Sequence, residues 1–141
     1  KQSGTTPADI HGSTLAIKFY SEKFIRLLKK NGINIKTYQI NFERNMKVAM
    51  KYYYIEPTSK SVPIINKKGT VKWYIDSKGN KCIMARKGLY LNLRKWDGSP
   101  FFKITDSRIY IVTEPLKKTI EKARLKNVQF ENVMDYSFGN I

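Results

Sequence analysis

Apolar residues are spaced in the same way near the two ends of the chain. Ile17, Phe19 and Tyr20 precede Ser21-Glu22, after which Phe24, Leu27 and Leu28 recur at helical spacing before Ile33 and Tyr38. A second run, Ile109, Ile111 and Val112, precedes Thr113-Glu114, after which Leu116, Ile120 and Ala123 recur before Leu125 and Phe130. The two runs stay in step at an offset of 92 positions, from Ile17 against Ile109 to Tyr38 against Phe130. Each pattern predicts a short β-branched and aromatic strand, a capped amphipathic helix with one stripe to bury, and a return strand. Ser21 and Thr113 are suited to accept a backbone N–H as N-caps, and Glu22 and Glu114 place a carboxylate at the positive end of the helix dipole. Pro115 falls in a first helical turn, where its missing donor costs little, and Gly32 is the expected residue just past the end of the first helix.

Between the two units the pattern changes to period two. Tyr38, Ile40 and Phe42 alternate with Gln39 and Asn41, and Val48, Met50, Tyr52 and Tyr54 form one face of a strand ending before Pro57, with Asn45 in the connecting turn. Val71, Trp73 and Ile75 are expected on one side of another strand, followed by the turn Asp76-Ser77-Lys78-Gly79-Asn80 and the apolar run Cys82 to Ala85. Leu89, Leu91 and Leu93 alternate once more. The expected fold is α+β: a mixed, mostly antiparallel sheet with two helices in a duplicated strand–helix–strand arrangement. Residues 1–14 read as a flexible N-terminal segment, and 15–141 as one domain with its repeat at 15–42 and 107–134.

With 141 residues, 41% of them hydrophobic, the chain suits a single ordinary core. It contains neither a run of about 18 apolar residues nor a signal-peptide pattern. It begins at Lys1 in a polar, turn-rich stretch, so the expectation is a fragment whose native N-terminus is missing. One cysteine, Cys82, cannot form an intramolecular disulfide or a multi-cysteine zinc site, and reads as a small apolar filler beside Ile83 and Met84.

The net charge of +16 raises the question of nucleic acid. The excess peaks in residues 57–100, where ten cations face two carboxylates for a net of +8. Lys67, Lys68, Lys72, Lys78, Lys81, Arg86 and Lys87, interleaved with Trp73 and Tyr74, have the composition of a surface that attracts phosphate and stacks bases. Against this, 21 of the 27 cations are lysine, the weaker choice for planar bidentate recognition. No zinc-finger spacing, RNA-recognition motif or helix-turn-helix pattern accompanies them. A solubilising lysine-rich surface is therefore favoured over specific nucleic-acid binding.

Candidate catalytic groups are few. The single histidine, His11, lies beside Asp9 and Gly12 and reads as a terminal turn residue. The acidic residues are scattered, Glu22 and Glu114 already have a role at helix starts, and no phosphate loop, dinucleotide fingerprint or nucleophile elbow is present. The expectation is no catalytic residue, no metal site and no cofactor.

The second unit and its approach carry a family resemblance. Trp96-Asp97-Gly98-Ser99-Pro100-Phe101-Phe102-Lys103-Ile104, then Ile109 to Glu114 with Leu116, then Leu125-Lys126-Asn127-Val128-Gln129-Phe130, resemble the C-terminal half of the bacterial polymorphic-toxin immunity family known as immunity protein eleven, formerly a domain of unknown function. The first unit is similar to that family's first half, so the resemblance touches most of residues 15–134. Asn127 stands where many relatives carry glycine, and residues 57–87 match no pattern of the family. On residues alone, Trp96 to Pro100 form a turn with Trp96 and Phe101 in the core. The resemblance implies a non-enzymatic antidote that binds a cognate protein toxin, with an acidic surface on that partner to complement this chain's charge. The divergent basic segment, Lys67, Lys68, Lys72, Trp73, Tyr74, Arg86 and Lys87, is the expected partner-binding surface. The implied location is the bacterial cytoplasm, with the periplasm as an alternative. A basic nucleic-acid-binding module and a small hydrolase or toxin domain remain as competing readings.

Overall fold

The structure, a computed structural model, describes residues 10–12, 18–41 and 51–140. Its elements run β1 (Ile10–Gly12), β2 (Lys18–Ser21), α1 (Glu22–Lys30), β3 (Ile35–Gln39), β4 (Tyr52–Pro57), β5 (Thr70–Ile75), β6 (Lys81–Lys87), a single 3-10 turn (Leu93–Lys95), β7 (Phe101–Lys103), β8 (Tyr110–Val112), α2 (Glu114–Lys122) and β9 (Ser137–Phe138). The fold is α+β with antiparallel sheets. No helix among the described residues is long and apolar enough to cross a membrane.

The helices occupy matching positions, Glu22–Lys30 and Glu114–Lys122. Ser21 is extended and its hydroxyl accepts the Phe24 N–H at 3.2 Å, a cap contributing about 1 kcal/mol. Thr113 has the same extended backbone but makes no side-chain cap bond, so there the dipole interaction of Glu114 and the early Pro115 take over. The exits also correspond. Gly32 (φ +74°) donates to the Lys29 carbonyl at 3.1 Å, and Arg124 (φ +50°) donates to the Glu121 carbonyl at 3.1 Å. In the first unit Ile33 N–H also reaches the Leu28 carbonyl at 3.0 Å, completing the Schellman pattern, with Leu28 and Ile33 both buried in the core.

The units then diverge. After α1 the chain enters β3, which pairs with β4 from Ile35↔Pro57 to Gln39↔Tyr53. After α2 there is no return strand: Asn127 is left-handed at φ +59° and residues 125–130 are irregular. Leu125, Val128 and Phe130 nevertheless pack on the core. The expected strand is thus replaced by a segment whose apolar side chains are used while its backbone is turned out of sheet register.

Sheet order β1-β2-β4-β3 places Tyr20, Tyr53, Ile55 and Ile35 toward α1. Phe24, Leu28, Leu116 and Ile120 are all buried in one cluster with Tyr20, Ile55 and Phe101, so both helices and the β7–β8 hairpin share a core. Residues 10–12, expected to be flexible, instead form β1 against β2, with His11 opposite Phe19. The pairing fills the side of β2 that β4 leaves open, so backbone groups there gain partners. The expected flexible remainder of 1–14, the strand residues 15–17, and the features placed at Phe42, Asn45, Val48 and Met50 lie outside the described residues.

The Leu89, Leu91 and Leu93 alternation does not form a strand. Leu89 N–H bonds to the Val133 carbonyl at 2.8 Å, Tyr90 accepts from Ile65 at 2.7 Å and Asn92 bonds to Pro63 at 2.9 Å, after which Leu93 opens the 3-10 turn and is exposed. The backbone bonds of this stretch are shared between two separate segments, so no single ladder forms.

Candidate binding surface

A second sheet, order β5-β6-β9, carries the basic segment. Its hairpin is built locally. Asp76 accepts the N–H groups of Lys78 at 2.9 Å and Asn80 at 2.8 Å, and its own N–H bonds to the Asn80 carbonyl at 2.9 Å, with Gly79 in the left-handed region. These bonds, the Asn80 backbone donor foremost, hold the Asp76 carboxyl below its ordinary pKa. Cys82 is half-buried and its thiol points to Asp76 and the Asn80 carbonyl, at 3.8 and 3.7 Å, rather than filling a core.

The register pairs Thr70 with Lys87, Val71 with Arg86 and Lys72 with Ala85, then slips so that Trp73 meets Ile83 and Met84 is the extra residue. This bulge interrupts the inward–outward alternation of β6 within the apolar run Cys82 to Ala85 and leaves Met84 exposed. Residues directly opposite in an antiparallel pair share a face. Trp73, Ile75, Ile83 and Lys81 therefore lie on one face, and Lys72 and Tyr74 on the other.

The seven sequence-derived residues divide accordingly. Lys67, Lys68, Lys72, Trp73, Tyr74 and Lys87 are exposed, but Trp73 and Tyr74 sit on opposite faces of β5. Arg86 does not belong to the exposed surface. It is 2% exposed; its Nη2 donates to the Asn66 side-chain oxygen at 2.9 Å, and its Nη1 is buried without a partner. It stands in the ladder between Val71 and Phe138, and its burial removes it from any direct contact role.

Other residues complete the surface. Ile75, Met84 and Phe138 are large, apolar and exposed on the same sheet as Trp73 and Tyr74. Lys81 places its ammonium 4.7 Å from the Trp73 ring centroid, a cation–π contact that follows from the turn register Ile75↔Lys81. Lys67, Lys68, Lys72, Lys78, Lys81 and Lys87 form no ion pair among the described residues. Lys72 Nζ instead donates to the Asn140 carbonyl at 2.7 Å. The exposed apolar side chains and the lysines without ion pairs are thus distributed over both faces of one small sheet.

No family model, curated protein or solved structure matches this chain. The remaining candidate features have local explanations. In the Asp97-Gly98-Ser99 turn, Asp97 accepts the Lys60 N–H at 3.0 Å and the Ser99 N–H at 2.9 Å, while Trp96 Nε1 donates to the Ser99 carbonyl at 2.9 Å. Those donors, Lys60 first, lower the Asp97 pKa, and the turn works as a clip between residues 58–60 and the start of β7. Phe101 is buried and the half-buried Trp96 packs against Phe102 at 6.1 Å.

A cavity of about 400 Å³ is lined by Lys18, Phe19, Ile40, Tyr54, Lys103, Arg108 and Tyr110. Its nearby carboxylate, Glu56, accepts from the Tyr54 hydroxyl and lies 3.7 Å from Lys103 Nζ. Tyr110 donates to the Ile55 carbonyl at 2.6 Å, and burial is the main reason its pKa is raised. Among the described residues no group of three His, Cys, Asp or Glu side chains converges to hold a metal.

Proposed function

We propose that this chain is a non-enzymatic antidote that neutralises a bacterial protein toxin by direct binding through the β5–β6–β9 sheet. The observation that carries the reading is the exposed Trp73, Tyr74, Ile75, Met84 and Phe138 on one small sheet, accompanied by six lysines without acidic partners among the described residues. Lysine charge steers an acidic partner toward the sheet, and the aromatic and aliphatic side chains supply the contact that slows dissociation. The resemblance to the immunity family supplies the class of partner. Asn127 supports it physically: the position where relatives carry glycine has φ +59°, a conformation that glycine adopts freely.

The resemblance implies a toxin encoded beside this chain, and co-expression with the product of such a neighbouring gene tests the reading by survival. Reversal of Lys67, Lys68 and Lys87 to glutamate is expected to lower the association rate by about 10- to 100-fold at low salt, with a smaller effect on dissociation. Failure of the wild-type chain to bind or protect against that toxin would eliminate the antidote reading for the pair. The Lys81–Trp73 stack favours nucleic acid as the second reading, distinguished by a log affinity that falls linearly and steeply with log salt.

A further inference from the structure

The open edge of β5 extends the proposed binding mode. In the order β5-β6-β9 this strand is paired on one side only, and all its backbone pairing goes to β6. No backbone partner meets its other edge among the described residues. The strand runs for six residues, Thr-Val-Lys-Trp-Tyr-Ile, without proline or glycine. A strand of this length and composition is a template for another strand, and monomers ordinarily shorten, cover or charge such an edge. Among the described residues the other edges of these two sheets are shorter: β1 and β9 have three and two residues, and β3 has five, with Tyr38 as its one large exposed apolar side chain.

We infer that β5 accepts an extended acidic segment of a protein partner as an added antiparallel or parallel strand. The identity of that partner as a toxin rests on the antidote reading; the edge does not. Backbone bonds along β5 provide the pairing, and alternate partner residues fall on its two faces. Apolar residues meet Trp73 and Ile75 on one face, while carboxylates meet Lys72 on the other. The charge decides between occupants. A second copy would bring another Lys67, Lys68, Lys72, Lys78, Lys81 and Lys87 against these six, so self-pairing is opposed by the same lysines that favour an acidic strand. Ile75 and Met84 are aliphatic and offer no stacking platform, which favours a polypeptide over single-stranded nucleic acid.

The test uses the full chain, isotopically labelled, with a capped ten-residue peptide alternating glutamate and valine. Amide exchange along Thr70–Ile75 is expected to slow at least tenfold at alternate positions when this peptide binds. A block peptide of the same composition, five glutamates then five valines, should bind at least tenfold more weakly, and a fully N-methylated version should give no protection. Absence of protection on β5, equal binding of the block peptide, or a dimer of the free chain paired through β5 would overturn the inference. So would protection by a ten-nucleotide oligothymidylate but not by the peptide. A tight toxin complex that leaves β5 unprotected overturns the edge inference and leaves the antidote reading standing. Peptide pairing on β5 without binding or protection against the neighbouring toxin does the reverse.

Discussion

Arg124→Gly should stabilise the protein. Arg124 follows α2 as Gly32 follows α1, both are left-handed, and both make the same backbone bond to the carbonyl three residues earlier. An L-residue other than glycine pays about 1–2 kcal/mol for that conformation. Glycine regains unfolded-chain entropy worth about 0.4–1 kcal/mol, so the net gain is about 0.5–1 kcal/mol. Little opposes it, because the Arg124 side chain is exposed and makes no ion pair among the described residues. The reciprocal change isolates the cause. Nothing lies within 4 Å of a Cβ added at Gly32, so Gly32→Ala tests backbone conformation without a clash and should destabilise by a similar amount. For a chain of 141 residues, 1 kcal/mol moves Tm by about 3–4 °C. Thermal unfolding of both variants, with urea midpoints as a check, should move in opposite directions. If Gly32→Ala lowers Tm while Arg124→Gly lowers it too, the correspondence between the helix exits is wrong.

Further outcomes follow from named groups. Arg86→Met should raise stability by about 1–2 kcal/mol in urea unfolding, because it removes a buried charge that has no carboxylate partner among the described residues while exposed Asn66 returns to water; a loss would show that the guanidinium is compensated. Asp97 has a lowered folded pKa, so its contribution is present above the unfolded value near about 4 and is lost as pH falls below it. The Tm gap between wild type and Asp97→Ala should accordingly close in acid. Tyr20 and Tyr110 have raised folded pKa values, chiefly through burial, so their contribution is full below about 10 and declines as pH rises above it. Phenolate absorbance should show these two ionising with alkaline unfolding; their titration alongside exposed tyrosines in the folded protein would refute this.

The helices were legible because local signals agreed: apolar spacing, an extended capping residue and an acidic first turn all fall at the same positions in both units. Their exits were legible only by half, since glycine announces a left-handed residue and arginine does not. The missing return strand has a different origin: Gly32 makes the same left-handed turn and β3 still follows it, whereas Asn127 adds a second left-handed residue inside the segment Leu125 to Phe130. At the candidate surface the turn Asp76 to Asn80 fixed the hairpin, and period two already separated Trp73 from Tyr74, although their adjacency made them read as one site. Burial of Arg86 had no local signal. It depends on Asn66, β5 and β9, which meet only after folding.

The arm formed by β5 and β6 is held by backbone geometry more than by burial. Ala85 and Arg86 are its buried residues, whereas Trp73, Tyr74, Ile75 and Met84 remain at the surface. The Asp76 turn fixes its far end, and β9 fixes its base through Arg86↔Phe138 and Lys87↔Ser137. Close approach there requires Gly139: a Cβ would stand 2.6 Å from the Met84 carbonyl oxygen and 2.8 Å from the Ala85 Cβ. A hairpin ordered this way keeps its apolar side chains available without depending on them for its own shape. A partner that docks on them pays less to order the receiving strand, which is the condition under which a small surface binds tightly. If the proposed binding mode holds, the shared core of α1, α2 and the first sheet supports an arm whose specificity would rest on a few side chains and one open edge.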